Sequence, residues 1–274
     1  MPRHRVTVDE LKFDVNVNVD GPPDGVPVLL LHGFPQSSRS FDAVAARLHA
    51  AGLRTIAPDQ RGYSPDARPQ GIQHYGVAQL VADALGVLDA LGVRWAHVAG
   101  HDWGAAVAWQ LAARHPQRVA SLVAASVGHP VAFSGALASD ADQRERSAYI
   151  REFTAAGAAE DALLAEGGAR LRAMVGQGRE LAVAVTERAG LTAALSWYRA
   201  MGAADFQSCP AVEVPTTFVW GTEDAFLGRV QAVSTGRQVL AEYRFVELAG
   251  IGHWIPEQAP AALATEVVLR SSPW

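Results

Sequence analysis

WAHVAGHDWGAAVAWQLAARHP, residues 95–116, changes its period in the middle. WAHVAG (95–100) reads as a strand, and WGAAVAWQLAARHP (103–116) has helical spacing and stops at Pro116. Asp102 stands between them, with Gly100 and Gly104 two positions to either side. A helix N-cap explains an aspartate at this point. It does not explain the glycines. A tight strand-to-helix turn that pushes its central side chain outward needs small neighbours at those two positions, and such an elbow carries the nucleophile of many hydrolases. Ala105, Ala106 and Ala108 continue the small residues into the helix, which can then pack close to a sheet.

The same alternation extends to both sides of this unit. Residues 5–9 and 13–19 alternate apolar and polar side chains like strands. VPVLLLHGF (26–34) is a continuous apolar run, as expected of a strand covered on both faces. SFDAVAARLHAAG (40–52) is helical, LRTIAPD (53–59) a strand, residues 77–93 a helix and VASLVAAS (119–126) a strand. Strands alternating with helices predict an α/β fold with a mostly parallel sheet flanked by helices. The pattern breaks near residue 130. Residues 130–208 contain no convincing strand and read as several helices broken at glycines 157, 167–168, 176–178 and 190. TTFVWGTED (216–224) then restores a strand, followed by a helix at 229–240, a strand at 243–250 and a helix at 259–271. The organisation expected is a core formed by 1–129 and 209–274, with a helical cap, 130–208, inserted into it.

Composition narrows the class. Hydrophobic residues make up 49% of the 274 and charged residues 19%, enough apolar material for a substantial core. The net charge is −5 and no basic tract interleaved with aromatics occurs, which argues against nucleic acid as a partner. No apolar run is long enough to span a bilayer. The first 19 residues carry no apolar signal region, and the lone cysteine, Cys209, cannot form an internal disulfide. These features predict a soluble cytoplasmic protein with no membrane association. Oligomeric state is not legible, and a homodimer stays open.

Three further segments line up with Asp102. HGFP (32–35) follows the strand VPVLLL, the place where this architecture puts one N–H of an oxyanion hole; the other N–H belongs to the residue after the nucleophile. Those donors are Phe34 and Trp103. Pro35 fixes the loop, and His32 reads as a structural, hydrogen-bonded histidine. GTED (221–224) ends one strand, with Glu223 and Asp224 as acids. GHW (252–254) follows another, with His253 on a glycine-flanked loop. The order Asp102, acid, His253 is the nucleophile–acid–base order of an α/β-hydrolase triad, and all four segments fall at carboxyl ends of strands. No H-E-x-x-H, P-loop or G-x-G-x-x-G is present, so neither a metal nor an organic cofactor is expected.

On HGFPQ (32–36), DQRGYSPD (59–66), GHDWGA (100–105), GTED (221–224) and GHW (252–254), the chain resembles the α/β-hydrolase family and, more narrowly, its epoxide hydrolases. The likeness covers nearly the whole chain. It extends into the inserted segment, where YIREFTAAGAAE (149–160) and ALSWYRAM (194–201) are similar to the segments that hold two cap tyrosines in that family. The flanks of Tyr149 depart further from the family than those of Tyr198. The resemblance implies the α/β-hydrolase fold, Asp102 as nucleophile, His253 as base with Asp224 orienting it, and Tyr149 and Tyr198 as proton donors to the ring oxygen.

The chemistry agrees with that implication. An aspartate with an ordinary pKa of about 3.9 is already ionised and needs no base to attack a saturated carbon. The histidine is then reserved for hydrolysing the resulting ester. An apolar pocket near Phe34, Pro35, Trp103 and Trp197 is expected for a small apolar epoxide. A haloalkane dehalogenase is the rival reading, since it shares the fold and the aspartate. A halide needs N–H donors rather than a proton, however, and position 34 is Phe. Trp197 adjoins Tyr198 on a helix, and neighbours differ by about 100° in direction. A capped, non-hydrolytic binding or biosynthetic protein is the reading from a different class.

Overall fold

The computed structural model describes residues 3–17, 22, 24–202, 205 and 207–271. Eight strands form one sheet: β1 (Arg3–Val8), β2 (Leu11–Val17), β3 (Val26–Leu31), β4 (Leu53–Pro58), β5 (Ala96–His101), β6 (Val119–Ala125), β7 (Thr216–Gly221) and β8 (Tyr243–Leu248). Their spatial order is β1-β2-β4-β3-β5-β6-β7-β8. β2 runs antiparallel to β1 and to β4, and every later pairing is parallel.

The apolar runs explain the burial. In β3 alternate residues face opposite sides, and both sides are covered: Leu29 and Leu31 belong to one core cluster, Val28 and Leu30 to the other. β6 repeats this, with Leu122 and Ala124 on the first face and Val123 and Ala125 on the second. The first face is covered by α2 (Val77–Ala90) and α3 (Trp103–Arg114), the second by α1 (Asp42–Ala50). Central strands buried on both faces carry no polar alternation, which is why they read as continuous hydrophobic runs.

Between β6 and β7 lie α4 (Pro130–Ser139), α5 (Ala141–Arg146), α6 (Ala148–Phe153), α7 (Ala158–Val175) and α8 (Arg188–Ala200). No strand occurs there among the described residues, as the sequence led one to expect. The non-helical backbone inside α7 runs from Ala165 to Gly168, at the glycine pair. The chain closes with α9 (Arg229–Ser234), α10 (Ile255–Gln258) and α11 (Pro260–Ser271); α11 covers the second face of the sheet alongside α1.

Several boundaries differ from the sequence reading. The run 26–34 ends as a strand at Leu31, and 216–224 ends at Gly221. Beyond these ends the Phe34 N–H turns to Asp102, and the N–H groups of Thr222, Glu223 and Asp224 bond to the Leu248, Ile251 and Gly221 carbonyls. The predicted helix 40–52 is a 3-10 turn, Ser38–Phe41, followed by α1; the predicted helix 229–240 stops at Ser234 and continues as a 3-10 turn, Thr235–Gln238. The last residues of the predicted strand 13–19, Asn18 and Val19, lie outside the described residues. No helix among the described residues is long and apolar enough to cross a membrane.

Candidate active site

Asp102 sits on the elbow between β5 and α3 with φ 54° and ψ −123°, a left-handed backbone that a non-glycine residue adopts only under strain. The flanking glycines make that turn physically possible. A Cβ on Gly100 would lie 2.4 Å from the Gly104 carbonyl oxygen, and one on Gly104 would lie 2.0 Å from that of Leu31. Gly33, which the sequence reading did not single out, is equally constrained: its Cβ would lie 2.3 Å from Asp102 Oδ1. No sequence signal marks Gly33 beyond its place inside HGFP.

The Phe34 backbone N–H donates to Asp102 Oδ1 at 2.8 Å. The Trp103 backbone N–H also acts on this carboxylate. The Phe34–Pro35 peptide is cis. His32 is buried, and the Gln60 backbone N–H donates to its Nε2 at 3.1 Å while its Nδ1 lies 3.1 Å from the Gly33 carbonyl; it braces the loop from beneath.

The other two triad candidates converge on the same point. His253 Nδ1 lies 2.8 Å from Asp224 Oδ2, and its Nε2 lies 3.4 Å from Asp102 Oδ2. Asp224 Oδ1 is itself fixed by the backbone N–H groups of Phe226 and Leu227, at 2.8 and 3.0 Å. Glu223, the other acid of GTED, is exposed at the loop surface. All three triad groups are buried. Burial alone disfavours an imidazolium, but the two flanking carboxylates outweigh it and raise His253 to about 10. Burial likewise works against the Asp102 carboxylate, and His253 more than offsets it, holding Asp102 below its ordinary value. The site thus favours a charged His253 held between Asp102 and Asp224.

Tyr149 on α6 and Tyr198 on α8 face this array. Their rings are 6.3 Å apart, and Tyr198 packs edge-on against Trp103 at 4.8 Å and Phe34 at 5.5 Å. Burial and then the neighbouring charges hold both phenols well above their ordinary pKa, so both keep their protons at neutral pH. A cavity of about 240 Å³ opens over Asp102, walled by Trp103, Phe133, Leu137, Ile150, Met201 and Leu227, with both tyrosines on its surface. A larger cleft of about 750 Å³, lined by Ser37, Arg68, Arg179 and Glu180 among others, does not reach Asp102. Of these two spaces, only the smaller one meets Asp102 and both tyrosines.

Trp197, Phe34 and Pro35 are not among the residues walling this cavity. Trp197 is buried behind the site, its indole N–H donating to the Arg61 carbonyl at 2.9 Å, and does not line the cavity. The 100° step between helix neighbours turns it away as Tyr198 turns in. Phe34 and Pro35 do not line it either: Phe34 serves through its N–H, and its ring packs on Phe153 and Tyr198.

The segment joining α7 to α8, together with the end of α7, is tied to the HGFP loop and to the residues that follow His253. Glu180 accepts from Ser37 N–H and Oγ–H, at 2.8 and 2.7 Å, and Ala182 N–H donates to the Pro35 carbonyl at 3.0 Å. On the base side, Glu257 accepts from the Glu180 N–H at 2.8 Å, and the Trp254 indole donates to the Met174 carbonyl at 3.1 Å.

A model of the alpha/beta hydrolase fold family matches residues 26–260, and the chain belongs to that family. Two similar proteins are an AB hydrolase superfamily protein, YfhM, of Bacillus subtilis, 34% identical over 93% of either chain, and Epoxide hydrolase 2 of Caenorhabditis elegans, 30% identical over 88% of this chain and 72% of that one. Among solved structures, Epoxide Hydrolase A from Mycobacterium thermoresistibile superposes with a TM-score of 0.84 at 27% identity, covering 98% of this chain and 97% of the other.

Proposed function

We propose that this chain is an epoxide hydrolase that opens a small apolar epoxide to a vicinal diol through an ester on Asp102. The observation that carries the reading is a buried carboxylate, already charged, facing two protonated phenols across an apolar cavity. Similarity to proteins named epoxide hydrolases supports it.

In the first step Asp102 Oδ2 attacks a ring carbon while Oδ1 stays with the Phe34 N–H. The carbon–oxygen bond of the ring breaks, and its electron pair goes to the oxygen, which takes a proton from Tyr149 or Tyr198. Esterification removes one of the two negative charges that keep His253 protonated, so its proton affinity falls. The proton that His253 sheds balances the one lost by the tyrosine. Neutral His253, oriented by Asp224, then takes a proton from water, and the hydroxide adds to the ester carbon of Asp102. The N–H groups of Phe34 and Trp103 stabilise the oxyanion, an effect worth roughly 3–4 kcal/mol per donor in other hydrolases. Collapse breaks the ester bond: the departing alkoxide takes the proton held by His253, the new carboxyl returns its own proton to His253, and the diol leaves with one water oxygen retained in the Asp102 carboxylate.

Halide release fits the cavity less well. The Trp197 indole N–H is tied to Arg61, and the Trp103 indole is drawn to the Tyr198 hydroxyl. A single turnover with excess enzyme, an aryl epoxide and H₂¹⁸O tests the reading. Label in the Asp102 peptide is expected. Neither diol nor label across a panel of epoxides refutes it, and halide release from chloro- or bromoalkanes promotes dehalogenation instead.

A further inference from the structure

The carbonyl of His253 is buried beneath the site and is gripped from two neighbouring strands. His101 Nε2 lies 2.8 Å from it and Ser126 Oγ donates to it at 2.7 Å, while the Ile255 backbone N–H donates at 2.8 Å. His101 ends β5, one residue before Asp102. Ser126 directly follows β6, with φ 69°, a left-handed backbone that a serine adopts at a cost. Both side chains are fully buried. His101 Nδ1 has no partner, so the ring that donates through Nε2 leaves an unpaired lone pair in the interior, a further cost. Burial and the charge on His253 lower His101 to about 4, which keeps it a neutral, single-proton donor.

A strained serine and a half-satisfied histidine on one carbonyl are expensive ways to bond an atom that the Ile255 N–H already serves. Their shared effect is rigid registration of the base loop against the nucleophile strand. We propose that His101 and Ser126 are positioning residues that set His253 for the second, hydrolytic step, without touching substrate. This rests on the two-step reading above. It assigns the grip to one step and not the other: the nucleophile does not need it to attack, whereas the water must be activated at a fixed distance from the ester carbon.

Ser126→Gly is the test, because glycine suits the left-handed backbone and removes only the hydroxyl. Quenched-flow single turnovers with styrene oxide would resolve ester formation from ester hydrolysis. Ester formation is expected to keep its wild-type rate. Hydrolysis is expected to slow by about tenfold or more, the scale of an ångström-level misplacement, and the ester accumulates. In steady state kcat and KM then fall together and kcat/KM holds. Ser126→Cys, with its weak S–H donor, is expected between the two. A general loosening of the fold would lower kcat/KM with KM unchanged and overturn the assignment, as would an unaltered hydrolysis rate. Wild-type protein that forms no ester would instead refute the two-step reading itself.

Discussion

Gly33→Ala is the sharpest test of how the nucleophile is seated. A methyl group there would stand 2.3 Å from Asp102 Oδ1, 2.4 Å from its Cβ and 2.7 Å from its Cγ. Ordinary contact begins near 3.4 Å, so the two groups must part by roughly 1 Å. The loop has little freedom to give. Its Phe34 N–H is bonded to that same carboxylate, His32 braces it below, and Ala182 holds the Pro35 carbonyl. Asp102 is therefore displaced, and a misplacement of about 1 Å costs on the order of 100-fold in rate, or about 2.7 kcal/mol in barrier. Overpacking should cost the fold only about 1–3 kcal/mol, which a circular-dichroism melt would register without loss of the folded state. Ester formation measured by quenched flow, with diol release alongside, is the assay. A loss smaller than about tenfold would show that the methyl group fits without moving Asp102 and would refute the reasoning.

Asp102→Ala is expected to abolish diol release, while leaving the melt close to wild type. His253→Gln is expected to stop after the first step, and intact-protein mass spectrometry would show the enzyme heavier by one substrate. Tyr149→Phe and Tyr198→Phe should each slow ring opening, and the double variant should lose most of the general-acid contribution, on the order of 10²–10⁴-fold; rapid-quench alkylation rates would check this. For pH, His253 is about 10 when folded against 6.5 for an ordinary imidazole, so the fold binds the extra proton. The stability this confers is complete below 6.5 and is lost as pH rises through 10. Melting temperatures across that window should fall more steeply for wild type than for His253→Gln.

The parts of this molecule that announce themselves in sequence are those with a period or a steric demand. β3 and β6 are visible because strands buried on both faces tolerate no polar alternation. The elbow is visible because Gly100 and Gly104 are forced by backbone atoms one van der Waals radius away. Asp224 and His253 stand out because they lie on loops just past the ends of β7 and β8, in a fixed order. Tyr149 and Tyr198 were legible only through likeness, since tyrosines on a helical segment have no period of their own that distinguishes packing from chemistry. Trp197, expected near the pocket beside Tyr198, is turned by one helical step so that its indole N–H donates to the Arg61 carbonyl. Ser126 and His101 could not be found at all, because what matters about them is a carbonyl more than a hundred residues away.

The segment between α7 and α8 holds the HGFP loop through Glu180 and Ala182 and reaches Glu257 just past His253, while Met174 at the end of α7 holds Trp254. Cap and chemistry thus share one set of bonds. A cap on a free hinge could melt early and leave a working, promiscuous core. On the proposed reading, loosening this segment is expected to withdraw the Phe34 N–H and unsettle His253 in the same event, so activity and the order of the segment should fade along a single curve on heating. The enzyme is built to fall silent before it becomes indiscriminate.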